Sequence, residues 1–196
     1  MPSKPVLSDT DKEAIRQKLE ELCEEYWTLQ GYKKTSIKHL CEKAAISIGT
    51  FYTLYPTKED LFFDTIRKIQ KRLTEKFLDT NKNRQTKEGF AESMKELFRE
   101  YDNKPFLYNV NTPDFQLFIS KLPDEAIEQI KFNSLDFFRQ TIHTAGLKLK
   151  IKEAQAYGIF SALLSTISAK ETLCVTCDYL AVFDFMVDKL VTDIFE

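Results

Sequence analysis

The sequence is poor in the residues that make loops and staples. Only 5 Gly and 6 Pro occur in 196 residues, too few for the many special turns of a loop-rich all-β fold. Four Cys do not make a disulfide framework in a chain of this length. Cys23 and Cys41 lie inside apolar helical patterns and read as small buried hydrophobes. His39 and His143 are the only histidines, and no metal or other cofactor is expected. There is no phosphate loop, no G-x-S-x-G and no H-E-x-x-H, so the sequence does not read as an enzyme. Long apolar runs are missing too. The longest uncharged stretch, Ala154 to Ala169, contains Gln155, Ser161, Ser165, Thr166 and Ser168, and is too short and too polar to span a bilayer. The first residues lead into polar sequence without a secretory pattern, so a cytoplasmic location with no membrane partner is expected.

What is present is apolar mass and charge. A composition 43% hydrophobic and 30% charged excludes a disordered chain. Sixteen Phe and 8 Tyr must fill a core, line a pocket or form an interface. The net charge is only −2, but it is unevenly spread. Residues 31–58 carry Lys33, Lys34, Lys38, Lys43 and Lys58 against the single acid Glu42. An anionic partner should meet this stretch.

Periodicity predicts an all-α chain of about nine helices. The first, over 11–30, places Ile15, Leu19, Leu22, Cys23, Tyr26 and Leu29 on one face. Thr10 to Glu13 fits a capping box, and Gly31 suits a left-handed helix end. Glu20, Glu21, Glu24 and Glu25 read as a solvated outer face. A short helix over 36–44 turns Ile37, Leu40 and Cys41 inward. Only Ala45 and Ile46 separate it from a third, N-capped by Ser47 and stopped by Pro56. Two short helices with so tight a turn read as a helix-turn-helix. A long helix opens at Thr57 to Asp60 and runs to about Asp79, with Arg67, Lys68, Lys71, Arg72 and Lys76 on its polar face. Further helices are expected over 88–101, 112–121, 123–146, 152–173 and 178–195. The expected division is a helix-turn-helix domain over 1–56 and a helical regulatory and dimerisation domain over 57–196, with 57–79 as the connecting helix.

Residues 31–62, GYKKTSIKHLCEKAAISIGTFYTLYPTKEDLF, closely resemble the DNA-binding region of TetR-type (tetracycline-repressor-like) transcriptional regulators of bacteria. The match includes Gly31, Tyr32, Thr35, Ser36, Ile37, Leu40, Ala44, Ser47, Gly49, Thr50, Phe51, Tyr52, Tyr55, Thr57, Lys58, Glu59 and Leu61. The rest of the chain agrees with the family in length and helicity only. The resemblance implies that Thr35 and Ser36 contact backbone phosphate from the start of the second helix. It implies that Gly49, Thr50, Tyr52 and Thr53 face the major groove, and that Lys58 clamps a phosphate. Tyr55 would be a core or backbone-contacting aromatic, and Phe51 a core residue.

The chemistry of the stretch supports this independently. Residues 46–58 contain no acid, as a helix entering a major groove requires. Ser47 places free amides at a helix start, a phosphate-binding arrangement. Lys33, Lys34 and Lys38 supply non-specific attraction to DNA. Three positions depart from the family pattern. Ile48, within the groove-facing set, stands where Lys, Arg or a small residue is common. Leu54 replaces a usual Tyr or His and has no phosphate contact to offer. Ala45 replaces the usual turn Gly, at a cost of about 1 kcal/mol if its φ is positive.

One such domain reads a half-site, so tight binding to a palindromic operator in double-stranded DNA calls for a homodimer. Ala154, Gly158, Ala162, Ser165 and Ala169 form a small-residue stripe, and Tyr179, Phe183, Met186, Val187, Leu190 and Ile194 a large one. These are the candidate dimer faces, with packing inside one chain as the alternative. The resemblance also implies a cavity for a small-molecule effector. Phe98, Tyr101, Phe115, Phe118, Phe138, Tyr157 and Phe160 are its candidate lining, suited to a hydrophobic or aromatic ligand, or else ordinary core. The expected function is a ligand-responsive DNA-binding regulator, a repressor released by its effector. Two alternatives stay open: a thiol switch at Cys174-Val175-Thr176-Cys177, and an adaptor whose head binds protein.

Overall fold

The computed structural model describes residues 7–131, 133–170 and 178–196. The chain is all-α: the described residues form ten α-helices and two short 3-10 turns, with no strand beyond a lone bridge between Leu149 and Phe195. No helix among them is long and apolar enough to cross a membrane. The helices are α1 (Asp9–Lys34), α2 (Ile37–Ala44), α3 (Ile48–Leu54), α4 (Lys58–Asn83), α5 (Lys87–Asn103), α6 (Pro113–Ile119), α7 (Asp124–Ile130), α8 (Ser134–Ala145), α9 (Glu153–Ser165) and α10 (Tyr179–Ile194).

Most helix starts follow from short polar side chains. Ser36, Ser47, Thr86 and Thr112 each accept an amide hydrogen in the first turn of the helix that follows. Thr57 and Asp60 satisfy each other's backbone amides at the start of α4. The first helix differs from the sequence reading. Its cap is Ser8, in a reciprocal box with Asp11, and not Thr10. The segment expected as one helix over 123–146 is two, because Asn133 caps α8 afresh.

The chain forms two compact units. The first comprises residues 1–69 and 110–131, the second residues 70–109 and 132–196. This is not the contiguous division expected at residue 56. Residues 110–131 fold with the head because Phe115 and Phe118 complete its aromatic core. Trp27 lies 5.2 Å from Phe118 and 4.7 Å from Phe62, ring to ring. Trp27 is buried where Leu29 was expected; Leu29 is 70% exposed. The buried residues of α1 before its break are Leu19, Leu22, Cys23 and Trp27.

The core of the second unit is aromatic and aliphatic. Phe98 of α5 stacks on Phe183 of α10, with ring centroids 3.5 Å apart. Phe90 meets Phe160 and Phe195 edge to face, both at 5.1 Å. Arg99 with Asp184, and Lys95 with Asp188, pair across the rim of the α5 and α10 contact.

Ala45 ends α2 in the left-handed region, at φ 56° and ψ 40°. Its amide reaches back to the carbonyls of Cys41 and Glu42, which closes the turn between the two short helices. An L side chain is strained there, so Ala45→Gly is expected to stabilise the chain by about 0.5–1 kcal/mol. Urea unfolding of the two proteins checks this. Equal or lower stability in the variant would contradict the strain.

Candidate nucleic-acid interface and ligand cavity

The head presents one short helix to solvent. α3 buries Phe51 and Leu54 and, one residue on, Tyr55. On the opposite face Ile48 is 48% exposed and Tyr52 51% exposed, one helical turn apart. Gly49 and Thr53 are exposed beside them, and the Thr53 hydroxyl donates to the Gly49 carbonyl. Ser47 accepts from the Thr50 amide and shares a hydroxyl contact with it at 2.9 Å. Lys33, Lys34, Ser36, Lys38 and Lys43 are exposed on the neighbouring elements. The exposed face of α3 therefore carries aromatic, aliphatic and hydroxyl groups without a carboxylate, flanked by lysines. That inventory suits thymine methyls, base edges and phosphates.

A carboxylate from far along the chain holds the head's hinge residue. Gly31 interrupts α1 with φ 83° and ψ 172°. The turn leaves the amides of Tyr32 and Lys33 without helical partners, and Asp114 of α6 accepts both, at 2.6 and 2.8 Å. Any Cβ at Gly31 would lie 2.7 Å from an Asp114 oxygen. Glycine is needed twice over, for the backbone angle and for the approach of the carboxylate. A second tie lies close by. The Tyr32 hydroxyl donates to Glu59, which also pairs with Lys121 at 3.2 Å. Burial opposes ionisation of Glu59, but the bonds from Tyr32 and Lys121 outweigh it and hold its carboxyl below the usual range.

The second unit contains a partly open cavity of about 190 Å³. Tyr101, Phe138, Tyr157 and Phe160 line it, together with Leu73 and Phe77 from α4 and Phe90 and Leu97 from α5. No charged side chain lines it among the described residues. Three expected lining residues are elsewhere. Phe98 is committed to Phe183, and Phe115 and Phe118 sit in the first unit against Trp27.

Residues 24–65 match the family described as bacterial regulatory proteins, tetR family. The head is of the TetR type. No curated protein matches the chain. Among solved structures, a putative TetR-family transcriptional regulator from Mesorhizobium loti aligns with a TM-score of 0.68 at 15% identity, covering 94% of this chain and 96% of that one. The repressor SmeT of the Stenotrophomonas maltophilia multidrug efflux pump SmeDEF aligns at 0.60 and 14% identity, covering 95% and 93%. FadR from Bacillus subtilis, solved with stearoyl-CoA, aligns at 0.59 and 16% identity, covering 91% and 98%. At these identities the likeness shows a shared fold over both units.

Within this TetR-type head, Thr35 and Lys58, expected at phosphate, are engaged inward, and Tyr55 takes the core place that was one of its two expected ones. Thr35 is 1% exposed and its hydroxyl donates to the Gly31 carbonyl at 2.8 Å. Its side chain closes the hinge and cannot reach a phosphate. Tyr55 is 1% exposed. Its hydroxyl donates to Glu20 at 3.0 Å and the Arg16 guanidinium lies over its ring. Glu20 also pairs with Lys68, so it is a structural acid and not part of a free solvated face. Lys58 donates to the Tyr32 carbonyl and lies 4.0 Å from the centre of its ring. Burial lowers its pKa, and its ammonium is engaged within the head. The outward set is Lys34, Ser36, Ser47, Ile48, Gly49, Tyr52 and Thr53, with Thr50 half-buried.

The candidate dimer faces separate in the same way. Ala154, Gly158, Ala162 and Ser165 are exposed on one side of α9, and Ala169 is half-buried beyond it. Phe183, Val187 and Ile194 are buried in the core of their own unit, and Tyr179, Met186 and Leu190 pack against that core. The apolar residues that α10 leaves outside are Val182, 38% exposed, and Phe185, 63% exposed. Cys174 and Cys177 lie outside the described residues. Cys23 is fully buried, and burial pushes its thiol up to about 12, which makes it inert as a nucleophile at neutral pH.

Asp114 carried no signal in the sequence beyond its place after the Thr112 cap, because its partners are 81 and 82 positions away. Hydrogen bonds to a charged acceptor contribute about 1.5–3 kcal/mol. Asp114→Ala should therefore lower the unfolding free energy by about that amount, and Asp114→Asn, which keeps one acceptor oxygen, by less. Chemical denaturation compares them. An Asp114→Ala protein as stable as the parent would contradict the tie.

Proposed function

We propose that the chain is a homodimeric repressor that binds a palindromic operator and is released by a small hydrophobic or aromatic effector. The observation that carries the reading is the outward face of α3. Ile48 and Tyr52 are exposed on a helix whose other side is core, in a stretch without acids, and a major groove gives such a surface a partner. Exposed lysines around it supply the salt-sensitive attraction to phosphate.

Repression and effector release draw on the relatives: SmeT is the repressor of an efflux pump, and FadR was solved with stearoyl-CoA. The cavity in this chain is the site where an effector would sit. α4 supplies Leu73, Thr74 and Phe77 to its lining and carries Lys58 and Glu59 at its other end. In this reading the effector acts through α4, by favouring a dimer whose two heads no longer match the spacing of the half-sites. The dimer would join the exposed small face of α9 to the outward side of α10 around Phe185.

In-vitro selection of random duplex DNA on the purified protein tests the reading. The expected product is a palindrome whose affinity falls steeply with salt, by about 0.9 in log K per phosphate contact for each unit of log salt. An unenriched pool with weak, salt-insensitive binding would overturn it and favour a protein-binding adaptor.

A further inference from the structure

We propose that the ligand of the cavity is an uncharged one- or two-ring aromatic molecule carrying a hydrogen-bond acceptor, and that the Tyr101 hydroxyl meets this acceptor. The proposal deepens the effector reading above and rests on it. Three features of the lining lead to it.

The first is charge. No Asp, Glu, Lys, Arg or His lines the cavity among the described residues. A carboxylate, phosphate or ammonium brought inside would lose its water without gaining a counter-ion.

The second is the arrangement of the rings. Aromatic side chains can hold a cation on their negative faces without any carboxylate. Here several of the rings already meet a neighbouring ring at a steep angle. Phe77 stands at 88° to Phe90 and at 60° to Phe137, and Phe90 at 63° to Phe160. These rings are partly engaged with one another, and no carboxylate backs a cation among the described lining residues.

The third is the state of the polar groups. The Thr141 hydroxyl donates to the Phe137 carbonyl at 2.9 Å. The Ser134 and Tyr157 hydroxyls bond each other at 2.6 Å. Tyr101 also lines the cavity, with Gln70, Thr74 and Ser161, and burial raises its pKa, so its hydroxyl is a neutral O–H donor. A ligand carbonyl or ether oxygen offers that donor an acceptor. The volume sets the size. An apolar cavity of about 150 Å³ takes benzene, so about 190 Å³ suits one or two fused rings.

Isothermal titration of the full chain with four naphthalenes of matched size tests the assignment. 2-Acetylnaphthalene is neutral with an acceptor, 2-ethylnaphthalene neutral without one, 2-naphthoate an anion and 2-naphthylmethylammonium a cation. 2-Acetylnaphthalene should bind at least about tenfold more tightly than either ion. Tyr101→Phe should weaken it by about three- to tenfold, to the level of 2-ethylnaphthalene, whose affinity should not change. Ser161→Phe, which fills the cavity, should abolish binding of both neutral compounds. Tighter binding of the ammonium or the naphthoate would overturn the proposal, as would no binding by any of the four or an unchanged affinity in Tyr101→Phe. Binding of 2-acetylnaphthalene that leaves the operator complex intact would support this ligand class and contradict the effector reading instead.

Discussion

A helix of seven residues does not persist in water on its own. The cost of its first turn is not recovered until a helix is about 12–15 residues long. α3, Ile48–Leu54, is below that length, and α2 is only one residue longer. The exposed face of α3 therefore exists only because the rest of the head holds it. Phe51 and Leu54 fix α3 from below, and Tyr55 locks its end through Glu20 and Arg16. Each inward residue frees an outward one. Ile48 and Tyr52 can be exposed and still well placed because the other side of their helix has no freedom to turn.

The same constraint explains why α6 belongs with the head. Lys33 and Lys34 follow directly on the break at Gly31, and the backbone there has two amides to satisfy. Asp114 satisfies both, and the rings of Phe115 and Phe118 fill the space beside Trp27, Tyr32 and Phe62. Lys121 reaches Glu59 from the end of the same segment. A chain segment distant in sequence thus completes the support under Lys33 and Lys34. The cavity unit is organised differently. Its rings interlock and leave a space lined by aromatic, aliphatic and neutral polar side chains, without a charged one among the described residues.

Local features were legible in the sequence. The cap at Ser47 and the buried place of Phe51 follow from short-range patterns. So did the TetR-type head, because its motif is contiguous. The differences share a cause. Thr35 and Lys58 match the family motif by residue type, but their partners Gly31 and Tyr32 decide which way they face. Phe115 and Phe118 are candidate cavity lining through the family resemblance, which does not say which unit a helix joins. Periodicity marks Phe183, Val187 and Ile194 as one face, yet it does not distinguish a core face from a dimer face. Among the seven candidate cavity residues, four line it, because helices α5, α8 and α9 each turn one aromatic face inward.

In the proposed function the outward face of α3 reads bases while the surrounding lysines hold the backbone. Operator and random duplex affinities, measured across a salt series for Tyr52→Ala and Lys38→Ala, separate the two roles. Tyr52→Ala should lose about 1–3 kcal/mol on the operator and little on random DNA. Lys38→Ala should weaken both duplexes alike and lower the salt slope by about one. Equal losses on both duplexes for Tyr52→Ala, or no loss on the operator, would contradict this reading.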